Sequence, residues 1–138
     1  MDNNTDFIEK LRSSGLRPTK QRIRICKLLF DRKKTFHFTI NDLSKILKKE
    51  NIKQISLATI YNTVHSFKKK GYLKEISINR EKSYFDTNTS DHHHFLDINT
   101  NQLIDLNKED VEKVRIKKNL PGKKINSIEV LVKIENSN

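Results

Sequence analysis

The strongest constraint on this chain is its helix punctuation. Thr19, Thr39 and Ser56 each stand directly before an apolar stretch of helical period. A side-chain oxygen there accepts from the free N–H groups of a helix's first turn, so each residue marks a helix start. Pro18 precedes the first of them, and Asp42 follows Thr39 by three residues as an acidic partner at the positive helix end. Behind these caps come Ile23, Cys26, Leu29 and Phe30, then Ile40, Leu43, Ile46 and Leu47, then Leu57, Ile60, Val64 and Phe67. A shorter helix over 7–14 places Phe7, Ile8 and Leu11 on one side and stops at Gly15, and Gly71 stops the fourth helix. A loop is expected over 33–38, and a short linker at Asn51.

Two β-rich runs follow, at 72–78 and 83–86, around the polar turn 79–82. Such a pair reads as a hairpin. Helices leading into a basic-tipped hairpin match a winged helix-turn-helix, with the fourth helix entering a DNA groove and the hairpin as the wing. This domain is expected over residues 1–86, and Thr87-Asn88-Thr89-Ser90 reads as a linker. Residues 91–138 offer strands at 95–98 and 102–106 around an Asn-rich turn. A helix capped by Asn107, with Glu109, Asp110 and Glu112 near its positive end, is expected to run close to Asn119, before Pro121-Gly122. A last strand over 128–134 puts Ile128, Val130, Val132 and Ile134 on one face. The fold class is therefore α+β: an N-terminal winged helix-turn-helix domain followed by a small α/β dimerisation domain. The second domain, of roughly 50 residues, is small for independent stability, and a core shared with a second copy would remedy that. A homodimer formed through it is expected.

The formal net charge of +11 is unevenly spread. Residues 1–75 hold 18 Lys and Arg against 7 Asp and Glu, giving +11, whereas residues 76–138 hold 10 against 10, giving zero. That asymmetry suits a polyanion-binding half joined to a half with another task, although a lysine-rich solvated surface gives the same count. The single cysteine, Cys26, excludes an internal disulfide and an all-cysteine zinc site within one chain. On the apolar side of its helix it reads as core. The opening Met1-Asp2-Asn3-Asn4-Thr5-Asp6 is polar and acidic, unlike a signal peptide, and no stretch approaches ~18 apolar residues. A cytoplasmic chain without a membrane segment is the expectation.

The core residues of the fourth helix leave Thr59, Asn62, Thr63 and Ser66 on one face, with Tyr61 at its border. Asn pairs with adenine, and Thr or an aromatic ring packs on a thymine methyl. Lys68, Lys69 and Lys70 at the helix end, and Arg80 and Lys82 at the hairpin turn, are placed to hold phosphates of double-stranded DNA. Periodicity alone equally describes an ordinary surface helix. The combination of capped helix, basic end, basic-tipped hairpin and one-sided charge is what argues for DNA. His65 reads as a plain surface residue of this helix. Downstream, Asp91-His92-His93-His94-Phe95 holds three of the five histidines. Neutral imidazole is a common ligand for borderline metals, and this run is too internal for a purification tag.

Four blocks now carry a resemblance. Gly15-Leu16-Arg17-Pro18-Thr19-Lys20-Gln21-Arg22, Ser56-Leu57-Ala58-Thr59-Ile60-Tyr61-Asn62-Thr63, Lys82-Ser83-Tyr84-Phe85-Asp86 and the histidine run resemble, in order, the conserved segments of the ferric uptake regulator family. The resemblance spans roughly residues 7–135 and adds Arg22 and Ser56 to the DNA-contacting positions. Two departures refine it. Asn62-Thr63 replaces the family's usual Arg after the tyrosine, and the paired CxxC motifs that hold a structural zinc in many members are absent, with Asp97 and Thr100 standing where the first would be. Both departures resemble the iron response regulator branch.

The resemblance implies a regulatory metal site at His37, Asp86, His92 and His94. The chemistry agrees: three imidazoles and a carboxylate suit tetrahedral Zn, or Mn and Fe with added water. In an extended strand His92 and His94 point the same way and His93 the other. Without the resemblance, His37 reads equally as a hydrogen-bonded residue ahead of the third helix and Asp86 as a turn residue. A second family site maps onto Asp91 or His93 and Glu112, but Ser127 stands where it needs a histidine. The branch also implies haem at His92, His93 or His94, since imidazole is an ordinary axial ligand.

The expected function is a dimeric, metal-linked transcription repressor of iron and haem homeostasis that binds AT-rich palindromic operators. The alternatives are a direct Mn, Fe or Zn sensor or a peroxide sensor of the same family without a haem response. Two other classes fit less well. A hydrolytic metal enzyme lacks an evident general base and a Gly-rich phosphate loop. An architectural DNA binder with structural zinc would bind DNA regardless of chelation.

Overall fold

The structure, a computed structural model, describes residues 3–50 and 54–138 and divides into two compact units, Met1–Thr89 and Ser90–Asn138. The expected linker at Asn51 lies outside the described residues.

The first unit opens with α1 (Asn3–Ser13), α2 (Lys20–Phe30), β1 (His37–Phe38), α3 (Ile40–Lys49) and α4 (Leu57–Lys70). The three hydroxyl caps act as their chemistry demands. Thr19 accepts from Arg22 N, Thr39 from Asp42 N and Ser56 from Thr59 N. At α3 the Asp42 carboxylate also accepts from Thr39 N at 2.9 Å, closing a reciprocal capping box. Gly71 ends α4 at φ 97°, a left-handed conformation that an L side chain adopts only under strain. Strands β2 (Lys74–Ser77) and β3 (Ser83–Asp86) form the hairpin, and β1 joins its outer side in the order β1-β3-β2. The 33–38 segment is thus not wholly a loop: His37 and Phe38 pair with Asp86 and Phe85. A two-residue strand carries too little pattern to show in sequence.

The core of this unit gathers Phe7 and Leu11 of α1, Ile25, Cys26 and Leu29 of α2, Leu43 and Leu47 of α3, Ile60, Val64 and Phe67 of α4, and Phe38 and Phe85 of the sheet. Each Leu, Ile, Val or Phe side chain contributes about 1.5–3 kcal/mol when fully buried. Two positions on α4 exchange their expected places. Leu57 is 55% exposed, while Thr63 is fully buried. Thr63 tolerates burial because its hydroxyl donates to Thr59 O at 2.7 Å, which removes the cost of an unpaired polar group.

The second unit is a sheet of β4 (His93–Asp97), β5 (Gln102–Leu106) and β6 (Leu131–Ile134) in the order β5-β4-β6. β4 pairs antiparallel with β5 and parallel with β6. Leu96, Leu103 and Leu106 are its buried apolar residues. The helix expected from Asn107 towards Asn119 is not formed. A single 3₁₀ turn, Lys108–Asp110, is followed by irregular backbone to β6. The physical reason is the lack of a packing surface. An isolated helix of about 12 residues is marginal in water, and Val114, Ile116 and Leu120 are 39%, 50% and 63% exposed.

Candidate metal centre and nucleic-acid interface

In the first unit, the register of β1 on β3 sets His37 opposite Asp86. Their contact, His37 Nε2 to Asp86 Oδ2, is 3.0 Å. Asp86 is fully buried and its other oxygen, Oδ1, accepts from Asn88 N at 2.8 Å. A buried carboxylate held from both sides is aimed rather than mobile.

In the second unit, His92 and His94 lie on one side of β4 and its lead-in, as the period-two rule predicts. Their rings are 4.4 Å apart and both are largely buried. Their Nε2 atoms approach one oxygen, Asp105 Oδ1, at 3.2 and 3.5 Å. His92 Nδ1 lies 2.7 Å from the carbonyl oxygen of Ser90. A carbonyl only accepts, so this ring nitrogen carries the hydrogen. The other ring nitrogen, Nε2, therefore faces a carboxylate oxygen. Nε2 and a carboxylate oxygen meeting there are donor atoms that a divalent cation accepts together. Donation of the second N–H to a backbone carbonyl is also the usual support of a metal-ligating histidine. The ligand atoms that His92, His94 and Asp105 can offer lie within 4.8 Å of one another. This donor set fits a divalent Zn, Mn or Fe ion.

Asp105 is absent from the sequence reading. It sits opposite His94 because Asp97 pairs with Gln102 across the turn. The turn over 98–101 would have fixed that register and so revealed it. His93 points the other way, and its Nδ1 accepts from Val130 N at 3.0 Å. Asp91 and Glu112 are exposed, and with His93 they form no metal-competent group among the described residues.

At the candidate nucleic-acid interface, the exposed face of α4 consists of Leu57, Ala58, Tyr61 and Asn62. Tyr61 is 52% exposed. Thr63 lies inside the unit, so it does not share that face. Ser56 and Thr59 bond to each other through their hydroxyls at 2.9 Å, within the N-terminal cap. Lys69 and Lys70 are exposed, whereas Lys68 pairs with Glu75 at 2.8 Å. At the wing, Asn79 Oδ1 accepts from Glu81 N and Lys82 N, both at 2.9 Å, which shapes the turn that presents Arg80. Lys82 Nζ stands 5.2 Å above the Tyr84 ring. Arg22 is half-buried and donates through Nη1 to Arg17 O at 2.9 Å. His65 is not a plain surface residue: it is half-buried, with its ring 4.0 Å from Tyr61 and edge-on to Phe85 at 5.6 Å.

No helix among the described residues is long and apolar enough to cross a membrane. The model of the ferric uptake regulator family matches residues 13–133. The peroxide operon regulator of Bacillus subtilis is 33% identical over 101 residues, covering 73% of this chain and 68% of that protein. The peroxide-responsive repressor PerR of Staphylococcus aureus is likewise 33% identical over 101 residues, covering 73% of this chain and 66% of the relative. The chain thus spans about two thirds of the length of these relatives. Among solved structures, the ferric uptake regulator of Pseudomonas aeruginosa with manganese superposes with a TM-score of 0.67 at 21% identity, covering all of both chains. These likenesses run to peroxide and metal-uptake regulators rather than specifically to the iron response regulator branch.

Proposed function

The chain belongs to the ferric uptake regulator family, whose members are dimeric, metal-responsive DNA-binding transcription regulators, and on that premise we propose that it is a divalent-metal-linked repressor. In this reading His37 and Asp86 from the first unit and His92, His94 and Asp105 from the second bind one ion together. The first set offers two donors and the second three, and a stable site for Zn, Mn or Fe takes four or more. The observation that carries the reading is the convergence of His92 Nε2 and His94 Nε2 on Asp105 Oδ1, with His92 Nδ1 turned to the Ser90 carbonyl oxygen. A bound ion would supply positive charge at that point, and the chain's own residues would hold it in orientation. Because the donors come from both units, occupancy would restrain one unit against the other, which is one route from metal to DNA.

DNA contact falls to the exposed face of α4. Asn62 is suited to an adenine edge, and Leu57, Ala58 and Tyr61 to thymine methyl groups. That set favours AT-rich operators, palindromic for a homodimer. Lys69, Arg80 and Lys82 bind phosphates, and Arg22, Ser56 and Thr59 orient the helix termini. A cytoplasmic protein follows from this role.

The names of the relatives favour peroxide over haem as the signal. So does the donor set, since both Nε2 atoms face a carboxylate, as suits a bare ion. Oxidation of a ligating imidazole, His37 or His92, would then release DNA. The test is Mn(II) stoichiometry by electron paramagnetic resonance, followed by mass analysis of Fe(II)-loaded protein after peroxide. One ion per chain and a gain of one oxygen on a site histidine are expected. Absence of Mn(II) binding overturns the metal reading; binding without oxidation overturns the peroxide reading alone.

A further inference from the structure

One side chain of the first unit, His65, touches both the sheet that carries His37 and Asp86 and the exposed face of α4. Successive residues of a strand point to opposite faces. The pairing of His37 with Asp86 and of Phe38 with Phe85 therefore puts the two donors on one face and two phenyl rings on the other. Those rings stack at 5.8 Å and are buried to within 2% of complete. The edge-on contact at 5.6 Å joins Phe85 to His65, and the tilted contact at 4.0 Å joins His65 to Tyr61 one helical turn earlier. A close-packed interior transmits displacement because it holds no void to absorb it. A change in the spacing of His37 and Asp86 thus moves the phenyl pair, and the imidazole edge-on to Phe85 is the part of α4 that joins that movement to Tyr61.

We propose that His65 is a positioning residue that carries the state of the His37–Asp86 pair to Tyr61. With the ion bound, β1 and β3 are held in one spacing, Phe85 fixes the His65 ring, and His65 fixes the Tyr61 ring in the orientation that meets a base. Without the ion the stack loosens and Tyr61 samples other rotamers. The inference rests on the metal reading above and adds a residue that touches neither the ion nor the DNA.

The test uses the full chain and a fluorescent duplex selected from a random library by the Mn(II)-loaded protein. The readout is the ratio of the duplex Kd in chelator to that in Mn(II). For the wild type a ratio in the ordinary allosteric range, about 5- to 150-fold, is expected. His65→Ala keeps a good helix former on α4. It is expected to lose most of that ratio while its Kd in chelator and its Mn(II) binding stay unchanged. His65→Phe retains a ring and is expected to keep the ratio. The proposal is overturned if the alanine variant keeps the full ratio, or if both variants lose it equally. It is also overturned if the alanine variant weakens DNA binding to the same extent in both conditions, since His65 would then act on DNA directly. A wild type that binds DNA identically with and without Mn(II) fails the metal reading itself, a result distinct from the other three.

Discussion

Asp86 has both oxygens engaged inside the first unit, one with Asn88 N and one with His37. Asp86→Ala removes the acceptor that holds the half-buried Asn88 N–H and the partner of His37, at about 0.5–1.5 kcal/mol per hydrogen bond lost. A lower melting temperature in chelator, together with loss of Mn(II) binding, is the expected outcome; a variant that melts and binds like the wild type would refute this role. Cys26 shows the opposite design. Burial pushes its thiol up to about 12, against a lesser lowering influence of Lys10, so the group stays protonated and unreactive. Ellman's reagent is expected to react only at the rate of unfolding, and rapid labelling of native protein would contradict this. At this scale the sequence disclosed residue type better than direction. Asp42, Thr39 and Ser56 were legible because a cap needs only local spacing. Asp105 is legible only through the register that the 98–101 turn sets, since its partner lies on another strand. Thr63 and Leu57 were exchanged because a wheel drawn from periodicity alone is uncertain by one position.

The elements divide in the same way. α2, α3 and α4 begin where their caps put them, and β3 and β5 occupy the predicted residues, because each has local signals at its ends. β1 and the irregular stretch before β6 differ from what the local sequence pattern predicts, because both depend on what lies beside them. The contact between α4 and β2 carries its own pH dependence. Burial acts to raise the Glu75 carboxyl, but the Lys68 and Ser83 hydrogen bonds and the Lys68 charge outweigh it and hold the group below 4.5. A carboxyl lowered by folding adds stability at pH above its unfolded value and loses it as pH falls through the folded one. Thermal melts taken downward from neutral pH should therefore show a fall below 4.5 that is smaller in Glu75→Gln. An equal fall in both proteins would remove Glu75 from the account.

On the scale of the whole molecule, the two units differ in what holds them together. The first has a core drawn from four helices and a sheet. The second buries three leucines and leaves Val114, Ile116, Leu120 and Ile125 between 39% and 63% exposed. In place of cysteine ligands its turn is tied by Asp97 Oδ1, which accepts from Asn99 N at 2.9 Å, and by Asn99 Oδ1, which accepts from Asn136 N at 2.7 Å. So small a core calls for a second copy. Light scattering is expected to give a dimer for the wild type and a smaller species for the double variant Ile116→Asp, Leu120→Asp. A monomeric wild type would contradict the assembly.

The central claim is that donors from both units share one ion that governs DNA affinity. The most direct measurement is anisotropy of the selected duplex during Mn(II) titration of wild type, Asp86→Ala and Asp105→Ala. The account predicts that binding tightens with Mn(II) in the wild type and that both variants, one in each unit, stay flat across the same range. A wild-type curve indifferent to Mn(II), or a full response in either variant, would contradict it.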